Sequence, residues 1–303
     1  MSGTRERGAA LIVAMLVAAI AAAVATTLTV EGARWQALVE GRRDHARAVS
    51  LAAAGVQWAR QVLADDATHG PIDHLAEPWA FPLPATPVDG GSVEGRIEDA
   101  QARLNVNGIG GVDGNAAIAR QRLGRVLARD GVDAALVDAI ADFVDPDEAP
   151  RERGAEDAAY APAGGVAANA SLVRVGELAA VRGLTPAALA RLGQDVAALP
   201  LDATVNVNTA TPTVLAAILP SLDAEAIAAI VAARRERPYA SVDDFATRNA
   251  VRTTTIETAG LGVGSRHFLV SVRARQGQAV VRAEALIARG GGPVPTVVWQ
   301  VID

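Results

Sequence analysis

No charged residue falls between Gly8 and Glu31. The apolar run from Ala9 to Val30 spans about 22 residues, or roughly 33 Å as a helix, which matches the hydrocarbon thickness of a bilayer. A helix apolar on every side is hidden only in a very large core or in lipid. Arg5 and Arg7 lie just outside the run and hold that end on the cytoplasmic side. The rest of the chain is therefore expected across the membrane. A secretory signal peptide is one competing reading, with Ala21-Ala22-Ala23 as a small-residue cleavage site. A plain signal anchor is another.

Composition bounds the remainder of the chain. With 303 residues it holds a membrane helix plus one or two domains, and with 50% hydrophobic residues it can fill a core. Cysteine is absent, so disulfide frameworks and thiolate chemistry are excluded. All 28 basic residues are arginine. A net charge of -6 argues against a nucleic-acid surface as the main business, and 3% aromatics leave little for base stacking.

Beyond the run come Trp35, Leu38, Val39, Ala46, Val49, Ala53, Val56, Trp58 and Leu63, several of which recur at three- and four-residue steps. They predict one apolar face on a continuing helix, bent if anywhere at Gly41 or Gly55. Residues 68–91 carry five prolines (Pro71, Pro78, Pro82, Pro84, Pro87) and read as an extended connector. Ser92 to Glu98 alternates as a strand. Strand patterning returns only at His267–Arg275, Ala279–Arg289 and Thr296–Ile302, the first two joined as a hairpin at Gln276-Gly277-Gln278. One early strand and three late ones imply a sheet built from both ends of a chain, with a helical insert between. The boundaries read as 1–8, 9–30, 31–100, 101–266 and 267–303. Within the insert, helices are expected at Ala116–Arg129, Ala134–Phe143, Ser171–Val181, Pro186–Leu192, Thr211–Leu219, Ala224–Arg235 and Val242–Arg248. Thr185 and Thr211 precede prolines and are candidate caps. Leu104-Asn105-Val106-Asn107 and Val205-Asn206-Val207-Asn208 echo each other, each ahead of a helical stretch.

The strongest chemical candidate is an acidic loop: Asp142, Asp145, Asp147, Glu148, Glu152, Glu156 and Asp157, punctuated by Pro146, Pro150 and Gly154. Hard oxygens on a flexible loop suit calcium, and so many carboxylates repel one another without a cation. The spacing is not that of an EF-hand. The plainer reading is a solvated acidic loop flanked by Arg151 and Arg153. Residues Asn206 to Phe245 resemble a helix-hairpin-helix DNA-binding module, but the turn Leu219-Pro220-Ser221-Leu222-Asp223 has no glycine and carries an acid. Such a turn repels phosphate, so a packing unit is expected, with Arg234-Arg235-Glu236-Arg237 as a solvated helix end. The four histidines are scattered, Gly108-Ile109-Gly110-Gly111 completes no dinucleotide fingerprint, and no catalytic motif stands out, so the chain reads as a non-enzyme.

Two resemblances organise these features. The basic leader ending at Gly8, then Ala9-Ala10-Leu11-Ile12-Val13, resembles a type IV prepilin leader. The likeness implies cleavage by prepilin peptidase between Gly8 and Ala9, methylation of Ala9, and retention of the apolar run. Most members carry glutamate at the fifth mature position, where this chain has Val13. A subunit with no neighbour above it would hold that carboxylate unpaired in lipid at a cost of several kcal/mol, so Val13 suits a filament tip. Asp142-Phe143-Val144-Asp145-Pro146-Asp147, Arg153-Gly154-Ala155-Glu156-Asp157, Tyr160 and Asn169 resemble the signature of the type II secretion minor pseudopilin K family. Glu177-Leu178, Val181-Arg182-Gly183, Leu199-Pro200, Asn206 to Ala210, Arg234 to Tyr239 and Asp243-Asp244-Phe245 come after them in the expected order.

This second likeness implies an α+β, type IV pilin-like fold: a long N-terminal helix on an antiparallel sheet, with a large inserted all-α domain that binds calcium. It implies Asp145, Asp147, Glu156 and Asp157 as metal ligands, with Asp142 and Asn169 as further ones. It implies a tip complex with the minor pseudopilins I and J. The expected role is structural, in a single-pass inner-membrane protein with its N-terminus cytoplasmic and its C-terminal domain periplasmic. The size of the insert adds secreted cargo and the outer-membrane channel as expected contacts. No nucleic acid is expected. The alternatives are a membrane-anchored helix-hairpin-helix DNA-binding protein and a type IV pilus minor pilin.

Overall fold

The computed structural model describes residues 3–249 and 258–303; Met1 and Ser2 of the leader and residues 250–257 of the insert lie outside the described residues. Helix α1 runs Gly3–Asp66, 64 residues without a break. Neither Gly41 nor Gly55 interrupts it. Every residue from Ala10 to Leu38 is exposed; for the apolar stretch to Val30 that is expected of a segment whose solvent is lipid rather than a protein core. The lower half then buries one stripe, Ala48, Ala52, Val56, Ala59 and Leu63, at the three- and four-residue spacing of one helix face. The stripe is small, so the helix lies close on the sheet. At Gly55 an added Cβ would stand 2.7 Å from Val272 Cγ1.

Past α1, the expected connector is partly a strand. β1 (Leu83–Val88) pairs antiparallel with β2 (Gly91–Asp99) through an irregular register between Leu83 and Thr86. Pro84 and Pro87 are tolerated because β1 is an edge, where a missing N–H breaks no second ladder. The chain leaves β2 into the insert: β3 (Leu104–Asn105), α2 (Gly114–Arg129), α3 (Leu136–Val144), α4 (Asp157–Tyr160), α5 (Pro186–Leu192) and β4 (Val196–Ala197). Then come β5 (Val205–Asn206), α6 (Pro212–Ile218), α7 (Ala224–Glu236), α8 (Val242–Asn249) and β6 (Leu261–Gly262). The helix expected at Ser171–Val181 is only a 3-10 turn, Val175–Ala180. The caps behave as expected: Thr185 and Thr211 accept from Ala188 N and Val214 N, at 3.2 and 3.1 Å.

The Asn-x-Asn echo is structural. β3 pairs parallel with β4, and β5 with β6, two short ladders that the helical reading of the insert missed. In each copy the first asparagine accepts from the N–H two residues on, Asn105 from Asn107 (3.1 Å) and Asn206 from Asn208 (2.9 Å). The second asparagine then ties a distant backbone: Asn107 to Leu172 and Leu199, Asn208 to Tyr239. Helical packing around these ties forms one core that includes Leu127, Ile140, Leu178, Leu192, Leu215 and Phe245.

The chain returns through β7 (His267–Gln276), β8 (Ala279–Ala288) and β9 (Thr296–Ile302). The sheet order is β1-β2-β7-β8-β9, antiparallel throughout, with α1 on the face of β7 and β8. Trp79 and Phe268 meet edge to face in its core, 5.2 Å between centroids.

Where the insert is attached, a buried polar knot joins it to the sheet. Asp99, 3% exposed at the end of β2, accepts from Gln101 N, Asn206 Nδ2, Thr209 Oγ1 and Ser265 Oγ at 2.5–3.1 Å. Gln101 Oε1 accepts from Arg266 N at 2.7 Å, so the outgoing and returning strands are tied to each other. Arg289, just past β8, pairs with Asp66 at the end of α1 and with Asp73 in the connector.

Candidate metal centre

The acidic loop is built on α3, whose apolar residues Val137, Ile140, Ala141 and Val144 face the insert core. That packing carries Asp142 inward with them, and Asp145 caps the helix. Their exposures are 0% and 1%. Both carboxylates sit at the negative end of the helix dipole, which adds to their need for a cation. The loop then turns back so that Asp145, Asp147 and Glu156 can each offer an oxygen within 4.8 Å of the others. Asn169 holds a left-handed backbone (φ 45°) and donates its N–H to Phe143 O, which seats it against the same end of α3.

Two sets of oxygens separate here. Asp142 is fully used: Oδ1 takes Arg151 Nη1 at 2.5 Å and Oδ2 takes Arg151 N at 3.0 Å. Arg151 Nη1 also reaches Asp145 Oδ2. Asp147 Oδ1 accepts from Ala149 N, and Asp157 Oδ1 from Ala167 N. In contrast, Asp145 Oδ1, both oxygens of Glu156 and Asn169 Oδ1 are buried without a hydrogen-bond partner. Buried oxygens are rarely left so. Burial, then Asp142, Asp145, Asp147 and Asp157, push the Glu156 carboxyl up to about 7. Burial raises Asp145 too, against the pull of Arg151. Unpartnered, all-oxygen and strongly negative, this set fits a hard divalent cation such as calcium and lacks the imidazole or thiolate that zinc prefers.

Arg151 is therefore no flanking charge in solvent, as the sequence reading has it, but a clamp on two buried acids; its side chain is 20% exposed. The only signal in the sequence was its place between the two acidic groups. Gly154 completes the arrangement, since an added Cβ would lie 1.7 Å from Asp142 Oδ2. Gly154→Ala is expected to drive Asp142 out of its pocket and to cost about 1–3 kcal/mol by overpacking. A urea titration measures it. A loss below about 0.5 kcal/mol would mean that Asp142 moves freely.

The helix-hairpin-helix stretch is corrected at one residue. Arg234 is 5% exposed and donates to Val207 O at 2.9 Å, so it belongs to the packing and not to a solvated helix end. Asp223 accepts from Ala226 N and caps α7. That places a carboxylate where a phosphate would have to approach. Gly8, Ala9 and Val13 all lie on α1, far along the chain from the acidic loop.

Models of type II secretion system protein K match residues 102–201 and 205–264, the two halves of the insert that each begin with an Asn-x-Asn unit. The type II secretion system protein K of Pseudomonas aeruginosa is 34% identical, over 96% of each chain. The chain belongs to the type II secretion system protein K family. The Pectobacterium carotovorum protein K is 30% identical, over 98% of this chain and 97% of its own. Among solved structures, GspK in the GspK–GspI–GspJ complex of enterotoxigenic Escherichia coli superposes with a TM-score of 0.77 at 22% identity, over 88% of this chain and 99% of that one. The likeness carries the fold: long helix, antiparallel sheet and helical insert. The protein K match includes the acidic loop, the clamp at Arg151 and the Asn206 to Ala210 unit.

Proposed function

We propose that the chain is a minor pseudopilin that is drawn from the inner membrane into a type II secretion pseudopilus and seated at its tip. The observation that carries this reading is the family match along nearly the whole chain, read with the exposed apolar half of α1. The apolar part of that bare helix, Ala10 to Val30, is covered by lipid before assembly and by neighbouring helices after it. Cleavage between Gly8 and Ala9, with methylation of Ala9, frees that helix to enter the filament. Val13 leaves no carboxylate that needs a subunit above. The insert is attached through a buried knot and so moves as one body with the sheet. At the filament end it has room that a lateral position would deny it, and it faces cargo and the outer-membrane channel. The GspK of the solved complex is bound to GspI and GspJ; the corresponding minor pseudopilins I and J are the partners proposed here. The role is structural, without catalysis.

Calcium is the ion proposed for the acidic loop, held by Asp145, Asp147, Glu156 and Asn169, with Asp157 as a further candidate. When bound, it supplies the positive charge that this oxygen set lacks. The residues themselves join α3, α4 and the segment before the 3-10 turn, so the loop is braced at three points.

The test is co-expression of the full chain with its own I and J subunits and prepilin peptidase, then detergent extraction and affinity capture. The expected product is a complex of all three in which this chain begins at methylated Ala9 by intact mass. A chain that begins at Met1 and elutes alone would overturn the assignment.

A further inference from the structure

We propose that β9 is a docking edge for an extended strand of a different protein, uncharged along its length and basic at its amino end. The two edges of the sheet are unlike. β1 carries Pro84 and Pro87, and its register is irregular between Leu83 and Thr86. Proline offers no N–H, so that edge is closed to a further strand. β9, at the other edge, has neither proline nor charge, and five of its 7 residues are β-branched, the composition of a strand that pairs well. None of its residues is buried, and Val298 is 51% exposed. Past an irregularity between Leu286 and Ile287, the ladder to β8 is regular from Trp299 onward. Arg282 and Asp303 exchange two backbone bonds there, at 2.9 and 2.8 Å. Antiparallel ladders alternate, so the N–H and C=O of Gln300 and Ile302 point away from the sheet. Among the described residues nothing meets them.

The unpaired groups require a strand as occupant, and the geometry of α1 excludes a second copy of this chain. Two copies joined through β9 in antiparallel sense are related by a half-turn about an axis normal to the sheet. That half-turn reverses every direction lying in the sheet. α1 packs along the face of β7 and β8, so the apolar run of the second copy would leave away from the membrane that holds the first. A copy shifted sideways, with its α1 parallel, would bring β1 against β9, and there Pro84 and Pro87 stand in the way. This exclusion rests on the reading of α1 as a membrane anchor; the free edge does not.

Charge specifies one end of the partner. Asp303 is exposed and takes part in no ion pair among the described residues, even with Arg282 opposite it. Every ladder of this sheet is antiparallel, and a strand added in that sense sets its amino end beside Asp303. A basic residue there makes a cross-strand ion pair, and an acidic one is repelled. Alongside Gln300 and Ile302 there is no charge to answer another, so an uncharged stretch fits.

The probes are two short peptides of alternating threonine and valine, one with arginine at its amino end and one with glutamate. Binding to the full chain in detergent is measured by fluorescence anisotropy. The arginine peptide is expected to bind, and the glutamate peptide about threefold more weakly. Gln300→Pro removes an outward N–H without touching the ladder to β8, and is expected to lower the affinity at least about tenfold. Asp303→Arg is expected to reverse the preference between the two peptides. No binding to the wild type, or equal binding by Gln300→Pro, would overturn the proposal. A wild-type dimer in sedimentation that Gln300→Pro dissolves would give the edge to a second copy and overturn it too. Should Gln300→Pro fail to fold, as judged by circular dichroism, Asp303→Arg decides: an unreversed preference sinks the assignment.

Discussion

Arg289→Met is expected to destabilise the domain by about 3–5 kcal/mol, the usual cost of removing one partner from a buried ion pair. Its guanidinium holds Asp66 Oδ2 at 2.5 Å, Asp73 Oδ1 and the Ser265 carbonyl at 2.9 Å, and it stands 4.8 Å from the centre of the Phe268 ring. Asp66 and Asp73 are 8% and 1% exposed, so neither finds water when the arginine is gone. The loss should depend on pH. Burial pushes the Asp73 carboxyl up to about 6 even with Arg289 beside it, against an ordinary value near 4 when unfolded. Between those values the folded chain binds the proton and the unfolded chain does not, so stability falls as pH rises through the window. Without Arg289 the folded value moves higher still and the window extends upward past neutrality. The gap between wild type and variant should therefore be wide at pH 8 and narrow at pH 5. Thermal melts at both pH values measure it, with a shift of roughly 10 °C expected at pH 8. An equal gap at both would mean that the loss is packing against Phe268 and not uncompensated charge.

Asn206→Asp is expected to be about as damaging, although it changes shape by almost nothing. The asparagine is 0% exposed, and its Nδ2 donates to Asp99 Oδ2 at 3.1 Å, Asp73 O at 3.1 Å and Ser265 Oγ at 2.9 Å. Aspartate turns the bonds donated to Asp73 O and Asp99 Oδ2 into acceptor–acceptor contacts and sets a second carboxylate against Asp99. An unpaired charge or an unsatisfied group at such a site costs on the order of 3–5 kcal/mol. The result bears on function because this knot is what makes the insert and the sheet one body. Limited proteolysis should find the attachment near residues 99–101 and 264–266 newly accessible in the variant. Asn105→Asp in the first Asn-x-Asn copy is the control: its Nδ2 bond is to Pro200 O at an exposed position, and a loss under about 1 kcal/mol is expected. Equal losses at both sites would show that the charge at Asp99 plays no special part.

Much of this molecule is legible in the order of its residues, and the reasons are local. The apolar run from Ala9 to Val30 announces a lipid-covered helix because nothing but a bilayer matches its length and its lack of a polar face. The strands His267–Arg275 and Ala279–Arg289 and the capped helices after Thr185 and Thr211 are legible because alternation and capping act over a few residues. The acidic loop was legible as a concentration of charge that has to be answered somehow. What answers it was not. Arg151 and Gly154 sit within the loop, yet only the packing of α3 against the insert core decides that Asp142 points inward to the guanidinium while Glu156 is left open. β1 was missed because Pro84 and Pro87 read as loop residues, and being an edge is a property of the whole sheet. The knot of Asp99, Asn206 and Ser265 joins residues more than a hundred positions apart, beyond the reach of any local pattern. The sequence by itself determined the membrane helix, the split sheet and the charge of the loop, because short-range periodicity and composition encode them. Only the tertiary structure decided which acids are paired, which stay open to a cation and how the insert is fastened, because those depend on burial, and burial exists only once distant segments have met.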